Sequence, residues 1–143
     1  MPKAKGKVSY FSEEINFVLK GKRQSTEWII KTIESEGLEQ GEINYIFCSD
    51  AYLLTLNQKY LNHDTLTDIL TFGNTERAGL VGGDIFISIE RVKENAALYK
   101  ATFSSELSRV MIHGILHLCG YKDKSPEEAQ NMRKKENHYL SLK

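Results

Sequence analysis

His113-Gly114-Ile115-Leu116-His117-Leu118-Cys119-Gly120-Tyr121-Lys122-Asp123 is the stretch on which the reading of this chain turns. Residues four apart in an α-helix stack one turn above the other, so His113 and His117 project from one face. Apart from these two histidines, residues 110–119 are apolar almost all the way round, the pattern of a helix buried on most sides. The histidines then sit in a partly dry wall. Gly120 suits the left-handed position that ends helices, and the turn it allows carries Asp123 back toward the last helical turn. Two imidazole nitrogens and a carboxylate oxygen match a catalytic zinc site, which uses three protein ligands at about 2.0–2.2 Å and keeps one position open. The plainer alternative makes the histidines satisfied core residues and Asp123 a turn residue, but an i, i+4 histidine pair in an apolar helix has little use in that role. A purely structural zinc site would bring a fourth ligand, usually a thiolate. The nearest thiol, Cys119, follows His117 by two and points to another side of the helix.

The surrounding pattern predicts alternating elements. Residues 8–11 read as a first strand. Ser25 reads as the N-cap of a helix carrying Trp28, Ile29 and Ile33 and closed by Gly37. Residues 42–48 have apolar side chains in both registers, as in a strand buried on both faces, and Asp50 reads as the cap of a helix through Tyr60. Residues 68–72 and 84–89 are two further strands, with a polar, glycine-bearing connection from Gly73 to Gly83 placed to close over a cleft. A helix through Val92 and Ala96, the histidine helix from about Ser104, and a last helix to about Tyr139 complete the chain. Ser125-Pro126-Glu127-Glu128 is a capping box with proline in the first helical position. This order predicts an α+β fold, a mixed sheet of about four strands packed with helices.

Length suits one domain spanning residues 1–143, with 1–7 as a flexible basic tail. The N-terminal stretch lacks the apolar core of a secretory signal, and no run approaches the ~20 apolar residues that span a bilayer, so a soluble, cytoplasmic protein is expected. Cys48 and Cys119 are far apart and suggest neither a disulfide framework nor a thiolate site. Nineteen basic side chains balance nineteen acidic ones, so no global field favours nucleic acid. The distribution is uneven, with six Lys/Arg against two Glu in residues 1–23, six against four acids in 122–143, and seven against thirteen between. The ends are basic and the centre acidic.

Taken together, His-Gly-x-Leu-His-Leu-x-Gly-Tyr at 113–121, the upstream Glu106, Leu56-Asn57-Gln58-Lys59-Tyr60 followed by Asp64, Thr67, Asp68, Leu70 and Phe72, and Gly83-Asp84-Ile85 resemble the YbeY family of bacterial rRNA maturation factors. The blocks stand in the family's order over roughly residues 40–123. The resemblance implies a zincin-like fold, one Zn2+ per chain held by His113, His117 and Asp123, and cytoplasmic, single-strand-specific endoribonuclease action on ribosomal RNA. It further implies 16S rRNA 3′-end maturation, ribosome quality control and contact with the small ribosomal subunit. Two positions depart from the family pattern. Asp123 stands where the family's third ligand is usually histidine, and the added negative charge makes a held metal a weaker Lewis acid. Leu61 stands where an arginine usually follows the tyrosine, which removes a natural phosphoryl clamp unless Arg109 or a basic terminus replaces it.

The expected chemistry is metal-assisted phosphodiester hydrolysis. Glu106, two helical turns before His113, either orients that histidine or the site water or serves as a first-turn acid complementing the helix dipole. Asp68 and Asp84 either line the cleft or supply turn polarity. His63 and His138 are expected in solvent and Trp28 in the core. A zinc peptidase needs glutamate directly after the first histidine, where this chain has Gly114. An iron oxygenase triad is usually built on an all-β barrel, which this helix-rich chain does not suit. The remaining alternative is a zinc-stabilised ribosome-assembly factor that binds without cutting.

Overall fold

A computed structural model describes residues 6–63, 65–74 and 77–143. Within them the elements run β1 (Val8–Glu13), α1 (Lys22–Ser35), β2 (Glu39–Cys48), α2 (Asp50–Leu61), β3 (Ile69–Gly73), β4 (Leu80–Ser88), α3 (Ile89–Leu98), α4 (Phe103–Leu118) and α5 (Pro126–Leu140). The strands form one mixed sheet in the order β1-β2-β4-β3, parallel except for the antiparallel β3–β4 hairpin. The order and type of elements agree with the sequence pattern, and the class is α+β.

Strand alternation divides the burial. On one face Ile43, Tyr45 and Phe47 of β2 and Ile85 and Ile87 of β4 meet Ile29 and Ile33 of α1 and Val110, Met111 and Ile115 of α4. On the other, Cys48, Leu70 and the partly buried Phe72 and Phe86 meet Leu53 of α2. This is why β2 reads as buried in both registers. Trp28 is core, its indole N–H donating to the Tyr139 carbonyl at 2.8 Å and tying α1 to α5. Helix α4 lies on β3 and β4 through Gly114, where an added Cβ would stand 2.9 Å from Ile85 Cγ2 and 3.0 Å from Ile69 Cδ1. The position after His113 therefore faces packed strand side chains, which a larger residue there would have to displace.

Three local expectations are corrected. Ser25 is not a cap: Gly21, at φ 70°, opens α1, and Ser25 is buried one turn inside. A glycine free to enter the left-handed region starts the helix earlier than the serine would. Ser49, not Asp50, caps α2, its Oγ accepting from the Tyr52 N–H at 3.1 Å. The Asp50 carboxylate is drawn across to Ser88 Oγ at 2.6 Å and Arg91 at 2.9 Å. The connection from Gly73 to Gly83 is shorter than expected, because β4 already begins at Leu80 and pairs Gly83 with Gly73. Thr75 and Glu76, within it, lie outside the described residues, as do Asp64 and residues 1–5 of the expected tail. Lys7 is already engaged, its carbonyl accepting from the Ile43 N–H at 2.9 Å.

Candidate metal centre

Helix α4 begins at Thr102, whose side chain accepts from the Ser105 N–H at 3.0 Å. Its apolar side takes the sheet, which leaves His113 and His117 half-buried on the remaining face with ring centroids 4.5 Å apart. The helix stops in a Schellman motif: the Gly120 N–H reaches the His117 carbonyl and the Tyr121 N–H the Leu116 carbonyl, both at 3.0 Å, with Gly120 at φ 110°. Tyr121 then donates to Glu36 Oε1 at 2.5 Å, fastening the returning segment to the end of α1. Glu36 also accepts from Tyr139 and from Lys135, so α1, α5 and this segment share one anchor. Two residues beyond Asp123, the Ser125 capping box starts α5, with Glu128 N–H to Ser125 Oγ and Ser125 N–H to Glu128 Oε1 both at 3.0 Å.

Between these anchors Asp123 is aimed back at the histidines. Its Oδ2 lies 3.3 Å from His113 Nε2 and 3.4 Å from His117 Nε2, and one donor atom from each of the three residues falls within 4.8 Å of the others. Among the described residues this is the one cluster of three such donors. A set of two imidazoles and one carboxylate suits zinc and leaves a position free for water or substrate. The neighbouring thiol does not join it: burial, then the charge of Glu36, pushes the Cys119 thiol up to about 12.

The support behind His113 comes from α5, which the sequence reading left out of the site. Glu136 Oε2 lies 2.6 Å from His113 Nδ1, and Oε1 accepts from Arg109 Nη1 at 2.8 Å. An ionised carboxylate only accepts, so the Nδ1 atom carries the proton and the Nε2 lone pair of the neutral ring points toward Asp123. Burial alone would lower the His113 imidazolium, but the hydrogen bond and charge of Glu136 overcome it and raise the pKa above the ordinary value. Burial would likewise raise Glu136, and its bonds to His113 and Arg109 instead hold it below the usual carboxylate range. The signal was present in the sequence: Glu136 stands four after Met132 and three before Tyr139, an acid inside the buried stripe of a helix.

Glu106 is buried on the same side of α4 and lines a cleft of about 250 Å3 with His113, Asp123, Asp68 and Glu136. His113 donates to Glu136 rather than to Glu106. Burial and then Asp68 raise the Glu106 carboxyl, and burial raises Asp68. Asp84 lies on the α2 side of the sheet, hydrogen-bonded by Asn44 Nδ2 at 3.0 Å, away from the metal donors. His63 and His138 are exposed. Arg109 lines the cleft but is committed to Glu136 and, at 2.8 Å, to Asn137 Oδ1. A larger groove of about 830 Å3 lies between α1 and the chain end, and none of the three donors lines it.

Comparison with known proteins identifies the family. The family model described as Endoribonuclease YbeY matches residues 8–142. The Endoribonuclease YbeY of Flavobacterium psychrophilum is 52% identical over 132 residues, covering 92% of this chain and 94% of that one. That of Flavobacterium johnsoniae is 49% identical with the same coverage. The solution structure of TM1509 from Thermotoga maritima superimposes with a TM-score of 0.66 at 30% identity, over 94% of this chain and 87% of that one. The chain belongs to the YbeY family, whose model is that of an endoribonuclease, a hydrolase of phosphodiester bonds.

Proposed function

We propose that this protein is a zinc-dependent, single-strand-specific endoribonuclease of the cytoplasm that matures the 3′ end of 16S rRNA and takes part in ribosome quality control, working on the small ribosomal subunit. The observation that carries the reading is the convergence of His113, His117 and Asp123 behind a buried, charge-paired Glu136, in a chain whose relatives are named as endoribonucleases. The whole chain, residues 1–143, is read as one domain. No described helix is long and apolar enough to cross a membrane, which fits a protein acting on RNA in the cytoplasm.

His113 Nε2, His117 Nε2 and an Asp123 oxygen would hold one Zn2+. When bound, zinc polarises a phosphoryl oxygen and brings the pKa of a coordinated water to about 7. The protein's part is positional. Glu136 fixes the His113 ring and tautomer, and Arg109 fixes Glu136. The Schellman turn and the Tyr121–Glu36 bond bring Asp123 into reach. The cleft beside His113 supplies the room for substrate. Gly114 argues against the peptidase alternative, because it stands where that chemistry requires a glutamate base and faces Ile85 and Ile69.

A second reading, a zinc-braced assembly factor that binds the small subunit without cutting, draws on Leu61, which is half-exposed at the end of α2 where the family usually has arginine. The deciding experiment is elemental analysis of untagged protein beside His117→Ala and Asp123→Ala, followed by cleavage of a single-stranded RNA oligonucleotide. About one zinc per chain, lost or weakened in both variants together with cleavage, supports the nuclease. Zinc-loaded protein that binds the small subunit and leaves RNA intact supports the assembly factor. Folded wild-type protein that takes up no zinc refutes the metal-dependent mechanism.

A further inference from the structure

The cleft beside His113 has a second wall that the metal chemistry does not use. Tyr99, at the end of α3, is 63% exposed, Asn95 lies one turn before it, and the exposed Arg133 of α5 stands on the same cleft. Arg109, the other cation there, is spent on Glu136 and Asn137. Arg133 has no ion-pair or hydrogen-bond partner among the described residues, although its charge is felt by Glu106. An unpaired guanidinium and an open aromatic ring on one cleft are the combination single-stranded nucleic acids use, the cation tracking the backbone and the ring stacking a base. A base paired in a duplex has no free face to offer Tyr99.

The carboxylates of the cleft do not bar a phosphate. Glu136 is covered by Arg109 and His113, Asp123 faces the two histidines, and Glu106 is buried. At about 250 Å3 the cleft is smaller than the ~300–1,000 Å3 of pockets that enclose a drug-sized ligand, so it suits one nucleotide unit with the strand running on outside.

Resting on the nuclease reading, we propose that Tyr99, Asn95 and Arg133 form a nucleotide subsite next to the metal centre, which seats one residue of single-stranded RNA beside the scissile bond. Arg133 holds a backbone phosphate, Tyr99 stacks the base, and the Asn95 amide, which both donates and accepts, faces the same nucleotide. The subsite supplies from α5 a phosphate contact that Leu61 on α2 does not.

The test is single-turnover cleavage of a mixed-sequence single-stranded RNA oligonucleotide by excess zinc-loaded protein, with half-saturation and maximal rate measured at several salt concentrations. Tyr99→Ala should raise the half-saturation concentration roughly 5- to 150-fold, while Tyr99→Phe, which keeps the ring, stays near wild type. Arg133→Ala should reduce the slope of log affinity against log salt by about 0.7, one phosphate contact on a single strand, and Arg133→Lys should restore it. Zinc content and thermal melting of all four variants should match wild type. If the wild-type protein cuts RNA and both alanine variants keep its half-saturation and salt slope, the subsite is wrong and the nuclease reading stands. If the wild-type protein neither binds nor cuts the oligonucleotide, both fall together.

Discussion

Replacing Glu136 should weaken the metal centre from a distance. Its carboxylate makes no contact with the expected metal position, yet it holds the ring of one ligand at 2.6 Å and the Arg109 guanidinium at 2.8 Å. In Glu136→Ala the His113 ring loses the acceptor that selects its tautomer, so part of the population presents a protonated Nε2 to the ion. Loss of such an outer partner commonly costs about 10- to 100-fold in metal affinity, or roughly 1.4–2.7 kcal/mol. Stability should fall as well, because Arg109 loses its ionic partner and keeps only the bond to Asn137. A fully buried pair broken on one side costs about 3–5 kcal/mol, but the Arg109 side chain is 26% exposed and water can take over part of its solvation, so about 1–3 kcal/mol is expected. Glu136→Gln keeps an oxygen for His113 and gives up the charge, and should fall between the two proteins. Zinc affinity is read by competition with a chromophoric chelator, and stability by urea unfolding of the metal-free forms. Zinc binding by Glu136→Ala within two-fold of wild type, with unchanged unfolding, would refute the claim that α5 supports the site.

Two further perturbations test the scaffold. Gly114→Val forces a branched side chain into the contact with Ile85 and Ile69 and should destabilise the fold by about 3 kcal/mol, seen as a lower urea midpoint; an unchanged midpoint would mean that α4 does not sit that close to the sheet. Glu36 is pushed up by burial but held below the usual carboxylate range overall by Tyr121, Tyr139 and Lys135. A folded pKa below the unfolded value of 4.5 means that its contribution is complete above pH 4.5 and fades as pH falls through the folded pKa. The stability gap between wild type and Glu36→Gln should therefore be steady from neutral pH down to about pH 5 and shrink on further acidification, and a gap that widens in acid would reverse the assignment.

What was legible in the chain is what local geometry enforces. Two histidines four apart share a helix face in any helix, glycine at 120 ends that helix because it tolerates a positive φ, and Ser125 with Glu128 starts the next one. Alternation within 42–48 and 84–89 announced the central strands, although the glycine pair at 82 and 83 hid the beginning of β4 at Leu80. Caps were misjudged where two cap-competent residues stand side by side, as at Ser49 and Asp50, since only the cross-chain pull of Ser88 and Arg91 decides which one turns inward. Tertiary structure alone decided the support of the site. Glu136 meets His113 across 23 residues of sequence, Glu36 meets Tyr121 across 85, and Arg133 reaches the cleft from a different helix than the metal ligands. Sequence spacing governs which side chains share one element's face, whereas contacts between elements depend on how closely those elements approach, as where Gly114 of α4 meets Ile85 and Ile69 of the sheet.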